Sequence, residues 1–243
     1  MSGDALAWRN LTVCYGTRPV VHHLDAGVPR GACMALVGRN GAGKSSLLRA
    51  TVGWLPWTTG AITLDDVPAG GGDPRLHLLT QHPTHTSAVP LTVADVVAQG
   101  RYRLLGCLRG FSADDHAACT QALAAMALTG LAGRPFARLS GGQQQRVGIA
   151  RALATGAEVL LLDEPFAGLD PVAAADLADR LRRWADDGRL VVFATHELDL
   201  VRRIATHALL LNTHGVACGP FAEVFTDASL AAAMAAPHVA ERA

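Results

Sequence analysis

Lysine is almost missing from this chain: of its 21 lysine and arginine residues, Lys44 is the one lysine. An excess of charge of either sign is missing too, since aspartate and glutamate also number 21. A nucleic-acid partner therefore loses its usual basic footprint, and none is expected. No apolar run approaches the roughly 18–20 residues that a membrane span needs. The longest buried-looking runs, such as Val159–Leu162, have the length of a strand. The first residues show no basic-then-apolar layout of a secretory signal. Cysteine pairing is absent as well: Cys14, Cys33, Cys107, Cys119 and Cys218 are scattered, odd in number and form no CxxC. They read as reduced thiols of a cytosolic protein, used as small buried hydrophobes. No internal repeat and no disordered linker interrupts the 243 residues, which suffice for a substantial core.

What is present is an alternation of short apolar strands with helical periodicity. Two alternating segments, ALAWRNLTVCYG and RPVVHHLDAGVP, read as strands joined by a turn. ACMALVG is a continuous strand that breaks at Gly38, and KSSLLRATVGWL repeats apolar residues at helical spacing. TTGAITLDD and LHLLTQ read as further strands. TVADVVAQGRYRLL and SADDHAACTQALAAMAL read as helices, the second capped by Ser112 with Asp115. After them come a glycine-started helix, the buried strand EVLLLDEP, an amphipathic helix, the strand RLVVFATH, and a helix leading into a last strand. Such alternation predicts an α/β fold with a mostly parallel sheet.

Chemistry concentrates at three places. Gly38 to Ser45, GRNGAGKS, matches GxxxxGK[ST] and stands between a strand and a helix, the context that a phosphate-binding loop requires. Its glycines let several backbone N–H groups face a phosphate at a helix N-terminus. Lys44 would reach the β- and γ-phosphates, and the Ser45 hydroxyl would bind Mg²⁺. At the end of the strand VLLLD, Asp163 is placed to hold Mg²⁺, and Glu164 to take a proton from the attacking water. A second glycine turn, LSGGQQQR, opens a helix about a hundred residues after the first.

GRNGAGKSS, LSGGQQQR, VLLLDEP, AGLD and ATH occur in the order of an ABC-type ATPase, and the resemblance covers nearly the whole chain. It implies a P-loop NTPase (RecA-like) core with a parallel sheet, an N-terminal antiparallel β part and a helical subdomain insert. On that pattern residues 1–82 and 155–243 form the core of one ATPase domain, and residues 83–154 the insert. ATP contacts would come from Arg39, Asn40, Gly41, Ala42, Gly43 and Ser46 beside Lys44 and Ser45. The family works head to tail, so Ser140, Gly141, Gly142 and Gln143 would close over ATP held by a second copy. Asp170 would link the two sites, Tyr15 would stack on adenine, His196 would bond the γ-phosphate, and Gln81 would contact Mg²⁺ and the water.

The segment PLTVADVVAQGRYRLLG resembles importers of metal ions and metal chelates, and the late LLLNTHGVACGPFAEVF resembles their manganese and zinc branch. That resemblance implies a homodimer on the cytoplasmic face of a membrane. Its permease would dock against exposed apolar residues around Val89 to Arg103, a helix face packed within the protein being the alternative for that stretch, and an external binding protein would deliver cargo. A non-transport ATPase of the same superfamily, or an importer of another solute, is the alternative. Of the ten histidines, His22 with His23, or His82 with His85, are close enough for two-point metal coordination, although most exposed histidines bind nothing.

Overall fold

The computed structural model describes residues 3–80, 91–105 and 110–235. Its strands are β1 (Leu6–Tyr15), β2 (Arg18–Val28), β3 (Cys33–Val37), β4 (Trp57–Leu64), β5 (Val67–Pro68), β6 (Leu76–Leu79), β7 (Val159–Asp163), β8 (Leu190–Ala194), β9 (His207–Asn212) and β10 (His214–Pro220). The helices are α1 (Lys44–Thr51), α2 (Val93–Leu105), α3 (Ala113–Ala125), α4 (Gly141–Ala154), α5 (Pro171–Asp186), α6 (Leu198–Ile204), α7 (Phe221–Val224) and α8 (Asp227–Met234). Among the described residues no helix is long and apolar enough to cross a membrane.

Two sheets result. The larger runs β10-β9-β3-β8-β7-β6, with five parallel strands and β10 antiparallel at its edge. The smaller, β2-β1-β4-β5, is antiparallel throughout. The continuous apolar runs are explained by burial on both faces. In β3, Cys33, Ala35 and Val37 join the cluster under the helices, while Met34 and Leu36 join the cluster under the antiparallel sheet. In β7, Leu160 and Leu162 face one way and Val159 and Leu161 the other. The antiparallel sheet is held to α1 by the Trp8 indole, which donates to Thr51 Oγ1 (2.9 Å), while that hydroxyl donates to Leu47 O (2.8 Å).

The helices α2, α3 and α4 pack on one another and share their core with one face of the large sheet. A buried polar knot secures them. Asp115 is fully buried and accepts from the Arg101 guanidinium (2.6 and 2.8 Å), from Ser112 N (2.9 Å) and from Ser112 Oγ (2.8 Å). Arg101 also donates to Ala154 O at 3.1 Å, so one guanidinium ties α2 to both α3 and α4. The capping pair expected at Ser112 and Asp115 is thus present, and it does more than cap.

Two expectations need correction. The helix after the phosphate loop stops at Thr51, because Gly53 turns left-handed (φ +72) with its Cα packed against the Gly71 backbone. The apolar residues of 91–103 are also not an exposed docking face: Val93, Val96 and Val97 lie in the core, because α4 covers them. Among the described residues of that stretch, the large apolar side chain in solvent is Tyr102.

Candidate active site

The carboxyl ends of parallel strands are where such sheets hold ligands, and the predicted groups gather there. The loop of 38–43 leaves β3 and enters α1, whose N-cap is Gly43. Gly43 has φ +97, and a Cβ on it would sit 2.5 Å from Val20 O, so both its conformation and its surroundings demand glycine. A Cβ on Gly38 would stand 2.1 Å from Leu211 O. From the other side Thr213 N donates to Ala42 O (3.3 Å). The loop is therefore seated between β2 and the turn that joins β9 to β10.

Lys44 is buried, and its ammonium donates to Gly38 O (2.7 Å) and Arg39 O (3.0 Å). Burial lowers its pKa below the ordinary lysine value, and the neighbouring Glu164 and Asp163 partly restore it. The Ser45 hydroxyl donates to Asp163 Oδ1 at 2.8 Å, joining the start of α1 to the end of β7. A hydroxyl and a carboxylate so placed are hard oxygen ligands that fit Mg²⁺. Glu164 follows in the left-handed region (φ +52), its N–H donating to Ala194 O (3.0 Å) at the end of β8. That backbone turn aims its carboxylate at His196, whose Nδ1 lies 3.1 Å from Glu164 Oε2. A cleft of about 420 Å³ runs from Tyr15 across Asn40, Gly41, Gly43, Lys44, Ser45 and Ser46 to Glu164. Tyr15 is half exposed at its end, its hydroxyl accepting from Arg49 (3.2 Å). The arrangement can cradle an anion on backbone N–H groups, present a cation to it, and place a carboxylate beside its end.

Other predicted residues stand elsewhere. Ser140 and Gln143 form a reciprocal cap at the start of α4: Gln143 N donates to Ser140 Oγ (3.4 Å) and Ser140 N to Gln143 Oε1 (3.1 Å). Asp170 caps α5, accepting from Val172 N (3.1 Å) and Ala173 N (3.0 Å). These two helix starts adjoin, because a Cβ on Gly142 would meet Leu169 Cδ2 at 3.1 Å. A Cβ on Gly141, by contrast, would meet nothing within 4 Å, so this chain alone gives no reason for glycine there. None of these residues lines the cleft. Arg39, which is exposed, and Ala42, which is buried, belong to the loop without lining the cleft. Gln81 lies outside the described residues, as do His82, His85 and Val89. Val20, which does line the cleft, was not foreseen, since one valine on a strand carries no chemical signal.

Lys44→Ala should weaken ATP binding by about tenfold to a hundredfold, the range of about 1.5–3 kcal/mol for hydrogen bonds to a charged group. Equilibrium binding of a fluorescent nucleotide measures it. Unchanged affinity would remove Lys44 from the site.

Residues 21–167 match the model of the family described as ABC transporter. Over 219 residues the chain is 35% identical to the manganese transport system ATP-binding protein MntB of Listeria monocytogenes, covering 90% of this chain and 91% of the relative. It is 33% identical over 218 residues to the zinc transport system ATP-binding protein TroB of Treponema pallidum, covering 90% and 82%. Among solved structures, it superposes with a TM-score of 0.82 and 29% identity on a transporter described as of metal-chelate type in an inward-facing conformation, over 95% of this chain and 89% of that one. A sequence match across the loop, the second glycine turn and the strand of Asp163, together with this shared architecture, places the chain in the ABC transporter family.

Proposed function

We propose that this chain is the ATP-hydrolysing subunit of a transporter that imports a metal ion or metal chelate through a separate membrane permease. The observation that carries it is the division of the chemistry. The phosphate loop and Glu164 line one cleft, with Asp163 bonded to Ser45 and His196 beside Glu164, while the second glycine turn stands away from it with Gly141 open to solvent. Two copies set head to tail would unite the halves, Ser140 to Gln143 of one lying over the triphosphate held by the other. Relatives that carry manganese and zinc in their names, and a structural neighbour of metal-chelate type, support the cargo class.

In that assembly Tyr15 stacks on adenine, and the loop N–H groups of 39–46 hold the phosphates. Lys44 leaves the carbonyls of Gly38 and Arg39 for the β- and γ-phosphate oxygens. Mg²⁺, held by Ser45, Asp163 and Gln81, would supply charge neutralisation at the β- and γ-phosphates. Glu164 accepts the proton of the attacking water, and His196 donates to the γ-phosphate while holding Glu164 in register. The helix N-terminus at Ser140 adds donors where negative charge grows. Asp170, beside it, faces the second site. The dimer sits on the cytoplasmic side of its permease, and an extracytoplasmic binding protein hands over the cargo.

Gly141→Glu tests the division directly. Its new side chain meets open space, so the variant should fold, melt within about 2 °C of the parent and still bind ATP. Turnover and ATP-driven dimerisation should both be lost, as read by phosphate release and light scattering. A variant as active as the parent would end the two-chain reading. The cargo class is tested separately by metal uptake into vesicles carrying the subunit with its permease; ATP-dependent uptake of a metal-free solute alone would overturn it.

A further inference from the structure

The histidines of β2 and β10 combine differently from their order in the chain. His22 and His23 are neighbours in sequence, yet His23 takes a left-handed backbone (φ +41) and turns its Nδ1 to Asn10 Oδ1, 2.7 Å away. His22 instead faces His214, which begins β10. Their ring centroids are 4.9 Å apart, with planes inclined by 28°. The backbone fixes this meeting, because His22 N donates to Thr213 O at 2.8 Å. His22 is half-buried and His214 is exposed, so the pair opens to solvent on one side.

We propose that His22 and His214 form a two-imidazole site for a borderline divalent transition cation, of the Zn²⁺ class, whose remaining ligands are water. Two imidazoles on one tetrahedral zinc, each at an N–Zn distance of about 2.0–2.1 Å, stand with ring centroids about 5 Å apart. The observed spacing already matches. The rings are stacked, and rotation of both about their soft terminal torsions would turn a nitrogen of each toward a shared cation. Imidazole selects such metals over Mg²⁺, which asks for oxygen. Burial, followed by the proximity of His214 and His23, holds the His22 pKa below the usual histidine value. Among the described residues no three histidine, cysteine or acidic side chains converge on one point. The site is therefore open and exchangeable, unlike the closed four-ligand sites that hold folds together.

Its position gives it a consequence. Thr213, between Asn212 and His214, donates to Ala42 O of the phosphate loop. A cation that clamps His214 to His22 stiffens the turn on which that loop rests. This inference does not rest on the transport reading and would survive its failure.

Zinc chloride titrated calorimetrically into the nucleotide-free full chain should show a binding step near one per chain. His22→Gln and His214→Gln should each weaken that step by about tenfold or more, as loss of one of two ligands requires. His23→Gln should leave it unchanged, and MgCl₂ should not produce it. In the unmutated protein, the imidazole C–H resonances of His22 and His214 should move first on zinc addition, and the melting temperature should rise. Absence of zinc binding, equal affinity in all three variants, or first movement of other histidines would overturn the proposal.

Discussion

Glu164→Gln should lower ATP turnover by about a hundredfold to ten-thousandfold, the contribution of a well-placed general base. ATP binding should be retained, because the amide keeps the shape of the carboxylate and can still bond His196, 3.1 Å away in the parent. In the proposed mechanism the variant loses the proton acceptor, and with it the hydrolysis that would let the proposed assembly open. The variant should therefore elute as a dimer in ATP and Mg²⁺ and as a smaller species in ADP. The backbone gives a reason to expect a clean result. Glu164 holds a left-handed conformation (φ +52) that costs a non-glycine residue about 1–3 kcal/mol, and glutamine pays the same cost, so stability should not change. Phosphate release within about threefold of the parent would remove Glu164 as the base.

Asp115→Ala should be the most destabilising single change among the groups described above. Removing one partner of a buried ion pair costs about 3–5 kcal/mol, because the other charge stays buried without compensation. Here Arg101, whose side chain is 15% exposed, would keep Ala154 O and lose both contacts to the carboxylate, while Ser112 would lose two bonds. For a chain of this length, about 2–4 °C per kcal/mol translates to a fall of roughly 6–20 °C in melting temperature. Asp115→Asn should fall less, since an amide oxygen still accepts from Arg101. A melting temperature within about 2 °C of the parent in the alanine variant would show that the knot adds nothing to the packing of α2, α3 and α4.

The parts of the site legible in the sequence are those whose chemistry is local. A glycine loop, a lysine and a hydroxyl between one strand and one helix must lie together, and Lys44, Ser45 and Gly43 do. Asp163 was legible because an apolar run marks a buried strand and the acid marks its end. Contacts between distant segments were not legible. Nothing in HH at His22 and His23 says that one ring turns to Asn10 and the other to His214; a positive φ at His23 decides it. Whether the apolar residues from Val89 to Arg103 face a permease or the core was not legible either, because helical spacing shows that a face is apolar without showing what covers it. The pairing of β10 with β9, and the helix α8 beyond it, rest on a short polar strand and an alanine-rich stretch with little periodic signal.

The Leu211 carbonyl lodged against Gly38, and Thr213 bonded to Ala42, bear on how the protein is made. On a ribosome the glycine loop emerges with β3, while β9 and the turn after it, which hold its other side, are translated long afterwards. Until then the nascent polypeptide has the residues for gripping a nucleotide and the β2 side of their seat, but not its other side. A nucleotide would therefore meet the complete seat only once β9 and the turn after it have been made, and could not use it to template the segments that precede them.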